Sequence, residues 1–122
     1  MTLKNILIIP HINPDGDTLG SALALFFALK KINKNATVVS ADLMPKMFRF
    51  LPGVDSIIVN PEIKDEEYND FDAVITVECP NLDRIGSLQE LIKKKNIKTV
   101  INIDHHPSNS NFGKFNYIDP NA

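Results

Sequence analysis

Short apolar runs alternate with longer helical patterns along most of the chain. Residues 4–10, with Ile6-Leu7-Ile8-Ile9 at their centre, read as a strand buried on both faces. From about Thr18 to Asn33 apolar residues fall on most sides of a helix: Leu19, Ala22, Leu23, Ala24, Leu25, Phe26, Phe27, Ala28, Leu29 and Ile32. Such a helix predicts more than one covering neighbour. Lys30 and Lys31, followed by Asn33 and Asn35, mark its end. Ala36 to Ala41 reads as a second strand, and strand–helix–strand order implies a parallel pair with a right-handed crossover. Pro45 to Phe50 predicts a short helical turn that Pro52-Gly53 breaks, with Met44, Met47, Phe48 and Phe50 assigned to the core.

Further strands are predicted at Ser56 to Val59, Asp72 to Val77 and Thr99 to Ile103. A helix is predicted from about Leu88 to Lys95, and a last edge strand at Lys114 to Ile118. The acidic stretch Pro61 to Asp70 reads as a solvated loop or frayed helix. This alternation indicates an α/β fold with a mainly parallel, Rossmann-like sheet and helices on both faces. The chain stops soon after a loop with no closing helix, so the fold is expected to be cut short at its C-terminus.

Composition narrows the classes. At 122 residues and 43% hydrophobic, the chain suits one domain with a real core. A net charge of −2 gives no general attraction to nucleic acid, although bound cations would reverse the field locally. The single cysteine, Cys79, excludes an internal disulfide and fits a cytoplasmic location. No signal peptide and no membrane span are read.

The chemistry sits at the ends of the predicted strands. After the first come His11, Asp15 and Asp17, with Gly16 between the carboxylates and Pro14 before them. Carboxylates with an imidazole suit a divalent cation such as manganese, iron or zinc. The same loop also suits a simple helix cap, because aspartate is a preferred N-cap, and His11 an ordinary loop histidine. A second cluster, Asp104-His105-His106, follows the Thr99 to Ile103 strand, and Glu78 ends the Asp72 to Val77 strand. Converging on one sheet edge, these exceed the needs of one cation. They fit a two-metal arrangement for phosphoester or phosphoanhydride hydrolysis. A single structural metal site is the alternative, weakened by the lack of cysteine ligands. Asp104 fits a carboxylate that orients a metal-bound histidine.

The run His11-Ile-Asn-Pro-Asp15-Gly-Asp17-Thr-Leu-Gly20-Ser21 resembles the first motif of the DHH phosphoesterase superfamily. Glu78-Cys-Pro-Asn-Leu-Asp-Arg84-Ile-Gly86 occupies the place of the second, and Asp104-His105-His106-Pro-Ser-Asn109 is similar to the third. Arg49-Phe-Leu-Pro-Gly53 lies in a segment similar to the branch of bacterial oligoribonucleases and phosphoadenosine-phosphate phosphatases, related to RecJ-like exonucleases. The resemblance implies that His11 and Asp15 hold one metal, Asp17 and His105 a second, and Glu78 bridges both. It implies that His106 faces the substrate phosphate, with Asp104 behind the ligands, and that Arg84 and Asn109 are candidate substrate contacts. Manganese is the implied ion, two per site, with magnesium an alternative.

The implied substrate is a short oligonucleotide or a 3′-phosphorylated nucleotide. Inorganic pyrophosphate, or a weakened nucleotide-binding or regulatory module, are the alternatives; a homodimer is the implied assembly. The family usually carries aspartate where this chain has Glu78, whose extra methylene moves the carboxylate by about one carbon–carbon bond. Residues 1–122 would correspond to the N-terminal part of a DHH catalytic domain. The fourth motif, an aspartate of the second metal site, and a C-terminal substrate-binding domain fall outside them. These residues by themselves are therefore expected to turn over weakly or not at all.

Overall fold

A computed structural model describes residues 3–59, 71–94 and 96–122. The elements are β1 (Asn5–Pro10), α1 (Gly16–Lys31), β2 (Asn35–Ser40), β3 (Ile58–Val59), β4 (Ala73–Val77), α2 (Leu88–Lys94), β5 (Val100–Asp104) and β6 (Phe115–Ile118). Short 3₁₀ turns occur at Lys46–Phe48, Val54–Ser56 and Leu82–Ile85. The strands form one sheet in the order β3-β2-β1-β4-β5-β6, and every neighbouring pair is parallel. The α/β, Rossmann-like expectation holds. The expected acidic loop or frayed helix at 61–70 lies outside the described residues.

Successive side chains of a strand point to opposite faces, and β1 uses both. Ile6 and Ile8 pack with Leu19, Ala22, Leu23 and Phe26 of α1. Leu7 and Ile9 pack with Leu88, Leu91 and Ile92 of α2. Helices therefore cover both faces, which is why β1 and β4 read as unbroken apolar runs.

Four expectations are corrected. α1 starts at Gly16 rather than Thr18, because Asp15 caps it: its Oδ1 accepts from the Thr18 backbone N–H at 2.9 Å. α1 is also buried on one side only. Leu19, Ala22, Leu23 and Phe26 face the sheet at helical spacing, whereas Phe27 is 45% exposed and Ile32 is 62% exposed. Met47 and Phe50, expected in the core, are 71% and 79% exposed, while Met44 and Phe48 pack against the α1 side of the core. The 3₁₀ turn at Lys46–Phe48 is a single turn, too short to bury more than one side. The strand expected from Ser56 begins at Ile58, since Val54–Ser56 form a 3₁₀ turn entered through Gly53 at φ +84°. A Cβ at Gly53 would lie 2.8 Å from the Phe27 ring, which would have to shift, and the left-handed backbone there favours glycine.

The register places the site. Pro10 lies opposite Val77, and Val77 opposite Ile103. His11, Glu78 and Asp104 therefore leave the sheet at one level, at the carboxyl ends of three adjacent strands. The order of strands reverses between β1 and β4, the crevice where open α/β sheets bind ligands. No helix among the described residues is long and apolar enough to cross a membrane.

Candidate metal centre

The loop after β1 is braced from three directions. The Ile12 N–H donates to the Arg84 carbonyl at 2.6 Å, and the Asn13 N–H to the Asp42 carboxylate at 2.8 Å. The fully buried Thr18 hydroxyl accepts from the His11 N–H at 3.4 Å and donates to the Val77 carbonyl at 3.3 Å, tying the loop to β4. His11 Nδ1 bonds the Ile12 carbonyl, and a carbonyl only accepts, so Nδ1 carries the proton and Nε2 bears the lone pair. That Nε2 lies 3.7 Å from Asp15 Oδ2. Asp15 thus caps α1 with one oxygen and faces His11 with the other.

The second lobe joins the three loops. His105 Nε2 is 2.7 Å from Glu78 Oε2 and 3.5 Å from Asp17 Oδ2. His106 Nδ1 bonds Asp104 Oδ1, which leaves Nε2 as the free ring nitrogen. One donor atom each of Glu78, Asp104, His105 and His106 lies within 4.8 Å of the others. A pocket of about 320 Å³ opens here, lined by Asp17, Glu78, Asp104, His105, Tyr117 and Asp119 among others. Glu78 sits at φ +60°, a left-handed backbone that costs a non-glycine residue on the order of 1–3 kcal/mol. Such strain persists where the surroundings hold a side chain to a task.

The electrostatics favour a cation. Burial and the neighbouring Asp17 charge push the Glu78 carboxyl above its ordinary range. Burial alone would raise Asp104 too, but hydrogen bonds from Asn109, His106 and the His105 backbone outweigh it and hold that carboxylate low. The Glu78 charge raises His105, so it keeps its proton to higher pH than a free imidazole. Burial pushes the Cys79 thiol up to about 12, so without a metal it stays protonated and is a poor nucleophile. The remaining donors, carboxylate oxygens with imidazole nitrogens, fit a hard divalent ion such as manganese.

A pH dependence follows. A ligand imidazole must be neutral, so a cation held by His105 would displace its proton. Because that proton is held more tightly than usual, affinity is expected to rise with pH through the imidazole range and level off above it. Calorimetry with manganese in two buffers of different ionisation enthalpy measures the protons released. Release at neutral pH that vanishes at high pH is expected; pH-independent affinity with no release contradicts the assignment of His105.

Similarity to known proteins agrees with this geometry. Residues 5–122 match the model of the DHH family, N-terminal domain. The chain belongs to the DHH family. Among DHH relatives it is 34% identical over 120 residues to the bifunctional oligoribonuclease and PAP phosphatase NrnA of Thermus thermophilus, covering 94% of this chain and 32% of that protein. It is 32% identical over 115 residues to the NrnA of Mycoplasma genitalium, covering 93% of this chain and 34% of that protein. The chain thus spans about a third of the length of these curated relatives. Among solved structures, an exopolyphosphatase-related protein of Bacteroides fragilis superposes with a TM-score of 0.86 at 26% identity, over 97% of this chain and 35% of that one.

Against the DHH pattern, the structure brings Asp17, Glu78 and His105 together, pairs His11 with Asp15, and pairs Asp104 with His106. Arg84 braces the first loop through its backbone, and its Nε is buried with no hydrogen-bond partner. The Asn109 side chain is engaged with Asp104, Cys79 and Asn102. Several supporting residues escaped the sequence reading: Thr18, Asp42, Asn102 and Asn116. Asn102 carried a usable signal, since an asparagine inside the apolar run Val100-Ile-Asn-Ile103 must find partners if buried. Asp119 also lines the pocket, although it shows none of the motif context that marks the other residues.

Proposed function

We propose that this chain is the metal-binding part of a phosphoesterase that acts, in the cytoplasm, on short oligonucleotides or 3′-phosphorylated nucleotides with two divalent cations, manganese before magnesium. The observation that carries the reading is the convergence of Asp17, Glu78 and His105, from three separate strand ends, on one point. His11 and Asp15 would hold one cation, Asp17 and His105 the other, with Glu78 shared. When bound, the cations would polarise the phosphoryl group and make water a stronger nucleophile at neutral pH.

The chain's own residues do the rest. His11 keeps its proton on the nitrogen that faces the backbone, so its other nitrogen is ready as a ligand. Asp104 holds His106 by Nδ1, and the free Nε2 can take a proton from an attacking water or, once protonated, donate to a phosphate oxygen or a leaving group. The names of the NrnA relatives support this substrate class. The contact between Glu78 and His105 supports Glu78 as a fitted ligand rather than a relic.

The test is manganese-dependent cleavage of a labelled di- to pentanucleotide, with pyrophosphate assayed alongside. Residues 1–122 are compared with the longest chain the gene encodes. Cleavage by the longer chain and slow turnover by residues 1–122 are expected. Absence of manganese-dependent cleavage in both overturns the reading, and turnover of pyrophosphate alone overturns the substrate class.

A further inference from the structure

Three asparagines form a chain of side-chain hydrogen bonds beneath the second lobe. Asn102 lies in β5, fully buried, and pairs in register with Asn116 of the edge strand β6. Asn109 lies in the loop between them. The orientation of each amide follows from its backbone partners. The Asn111 N–H can only donate, and it donates to Asn109 Oδ1 at 2.8 Å. The Gly113 N–H donates to Asn116 Oδ1 at 2.9 Å, while Asn116 Nδ2 donates to the Gly113 carbonyl at 2.8 Å. With both oxygens so fixed, Asn102 Nδ2 has two acceptors, Asn109 Oδ1 at 2.7 Å and Asn116 Oδ1 at 3.0 Å. Asn102 thus donates to both the loop amide and the edge-strand amide, and Asn109 Nδ2 in turn reaches Asn102 Oδ1.

What this leaves for Asn109 is decisive. Its Nδ2 must point away from Asn111, and it donates to Asp104 Oδ2 at 2.9 Å. It also reaches the Cys79 carbonyl at 3.2 Å and Asn102 Oδ1 at 3.3 Å. Two protons serve three acceptors, and the carboxylate takes the shortest bond, as charge-assisted pairs do. Cys79 directly follows Glu78. The same amide therefore grips the carboxylate that orients His106 and the backbone that carries Glu78. A backbone bond from the Ser110 N–H to the Pro80 carbonyl at 2.8 Å adds to this tie.

We propose that Asn109, aimed by Asn102 and Asn116, is a positioning residue that fixes Asp104 and His106 against the loop carrying Glu78. The functional consequence rests on the metal-centre reading; the positioning itself does not. Losing the amide leaves the Asp104 carboxylate to His106 and the His105 backbone N–H, which loosens the constraint that keeps the His106 proton on Nδ1. Asn109→Asp is harsher than Asn109→Ala, since it sets an acceptor against Asp104 and the Cys79 carbonyl.

The test reads the His106 ring directly. Nitrogen-15 NMR of the metal-free protein near pH 8.5, where ordinary imidazoles are neutral, distinguishes a protonated from a bare ring nitrogen (pH chosen well above about 6.5). In the wild type, His106 is expected as the Nδ1-protonated tautomer alone. In Asn109→Ala and Asn109→Asp it becomes a mixture of the two tautomers. Should Asn109→Ala fail to fold, Asn116→Ala at the edge strand gives a smaller shift of the same kind. An unchanged tautomer in a folded Asn109 variant, or in Asn116→Ala where that variant must stand in, overturns the proposal. A tautomer shift in a protein that binds no manganese supports the positioning role and overturns the metal-centre reading instead.

Discussion

Replacing His105 by alanine is expected to lower manganese affinity by more than about 100-fold, beyond what loss of a partner behind the ligands costs. The same change should abolish cleavage of a short oligonucleotide by any longer chain that contains this domain. His105 is where two of the three loops meet: Nε2 contacts Glu78 Oε2 at 2.7 Å and Asp17 Oδ2 at 3.5 Å. Removing it takes away one ligand and leaves two carboxylates facing each other with nothing between them. The Glu78 carboxyl, already raised by burial and by Asp17, would rise further and hold its proton against the incoming cation. The fold should survive, because the His105 side chain is 37% exposed and lies outside both core clusters. Calorimetric titration with manganese, beside a thermal melt, checks both halves. Wild-type affinity in the folded variant would remove His105 from the site.

Asp15 allows its two roles to be separated by choice of substitution. Its Oδ1 caps α1 by accepting from the Thr18 N–H, and its Oδ2 faces His11. Serine preserves a cap acceptor but has no second oxygen to offer a cation. Asp15→Ser is therefore expected to melt near the wild type yet bind manganese more than about 100-fold more weakly, as for the loss of any direct ligand. Asp15→Ala is expected to bind as weakly and also to lose about 1 kcal/mol of stability, the typical worth of an N-cap. Wild-type affinity in Asp15→Ser would make Asp15 a cap and nothing more.

The central strands of this fold were legible because each is an apolar run too short for a helix and buried on both faces. Ile6 to Ile9 and Ala73 to Val77 are the plainest cases. Their register was not legible. Parallel strands are joined through helices, and the packing of those helices, not a turn, sets which residues stand opposite. The level shared by Pro10, Val77 and Ile103 appeared only in the structure, and it is what turns three separate motifs into one site.

Helix α1 misled in the other direction. Its many alanines and leucines suggest burial all round, but the sheet covers one face and leaves Phe27 45% and the C-cap Ile32 62% exposed. The candidate ligands were readable from residue type and position after strands. Their supports were not: the partners of Asn109 come from β5 and from the backbone after β4, which no local spacing predicts.

The central claim is that three strand ends build one two-cation centre. Anomalous scattering at the manganese absorption edge, from crystals of the protein grown with manganese, tests it most directly. The account predicts two peaks at the carboxyl edge of the sheet, one beside His11 and Asp15 and one beside Asp17 and His105, with the Glu78 carboxylate between them. Crystals grown with manganese that show no peak among these residues, or a peak only elsewhere on the molecule, would contradict it.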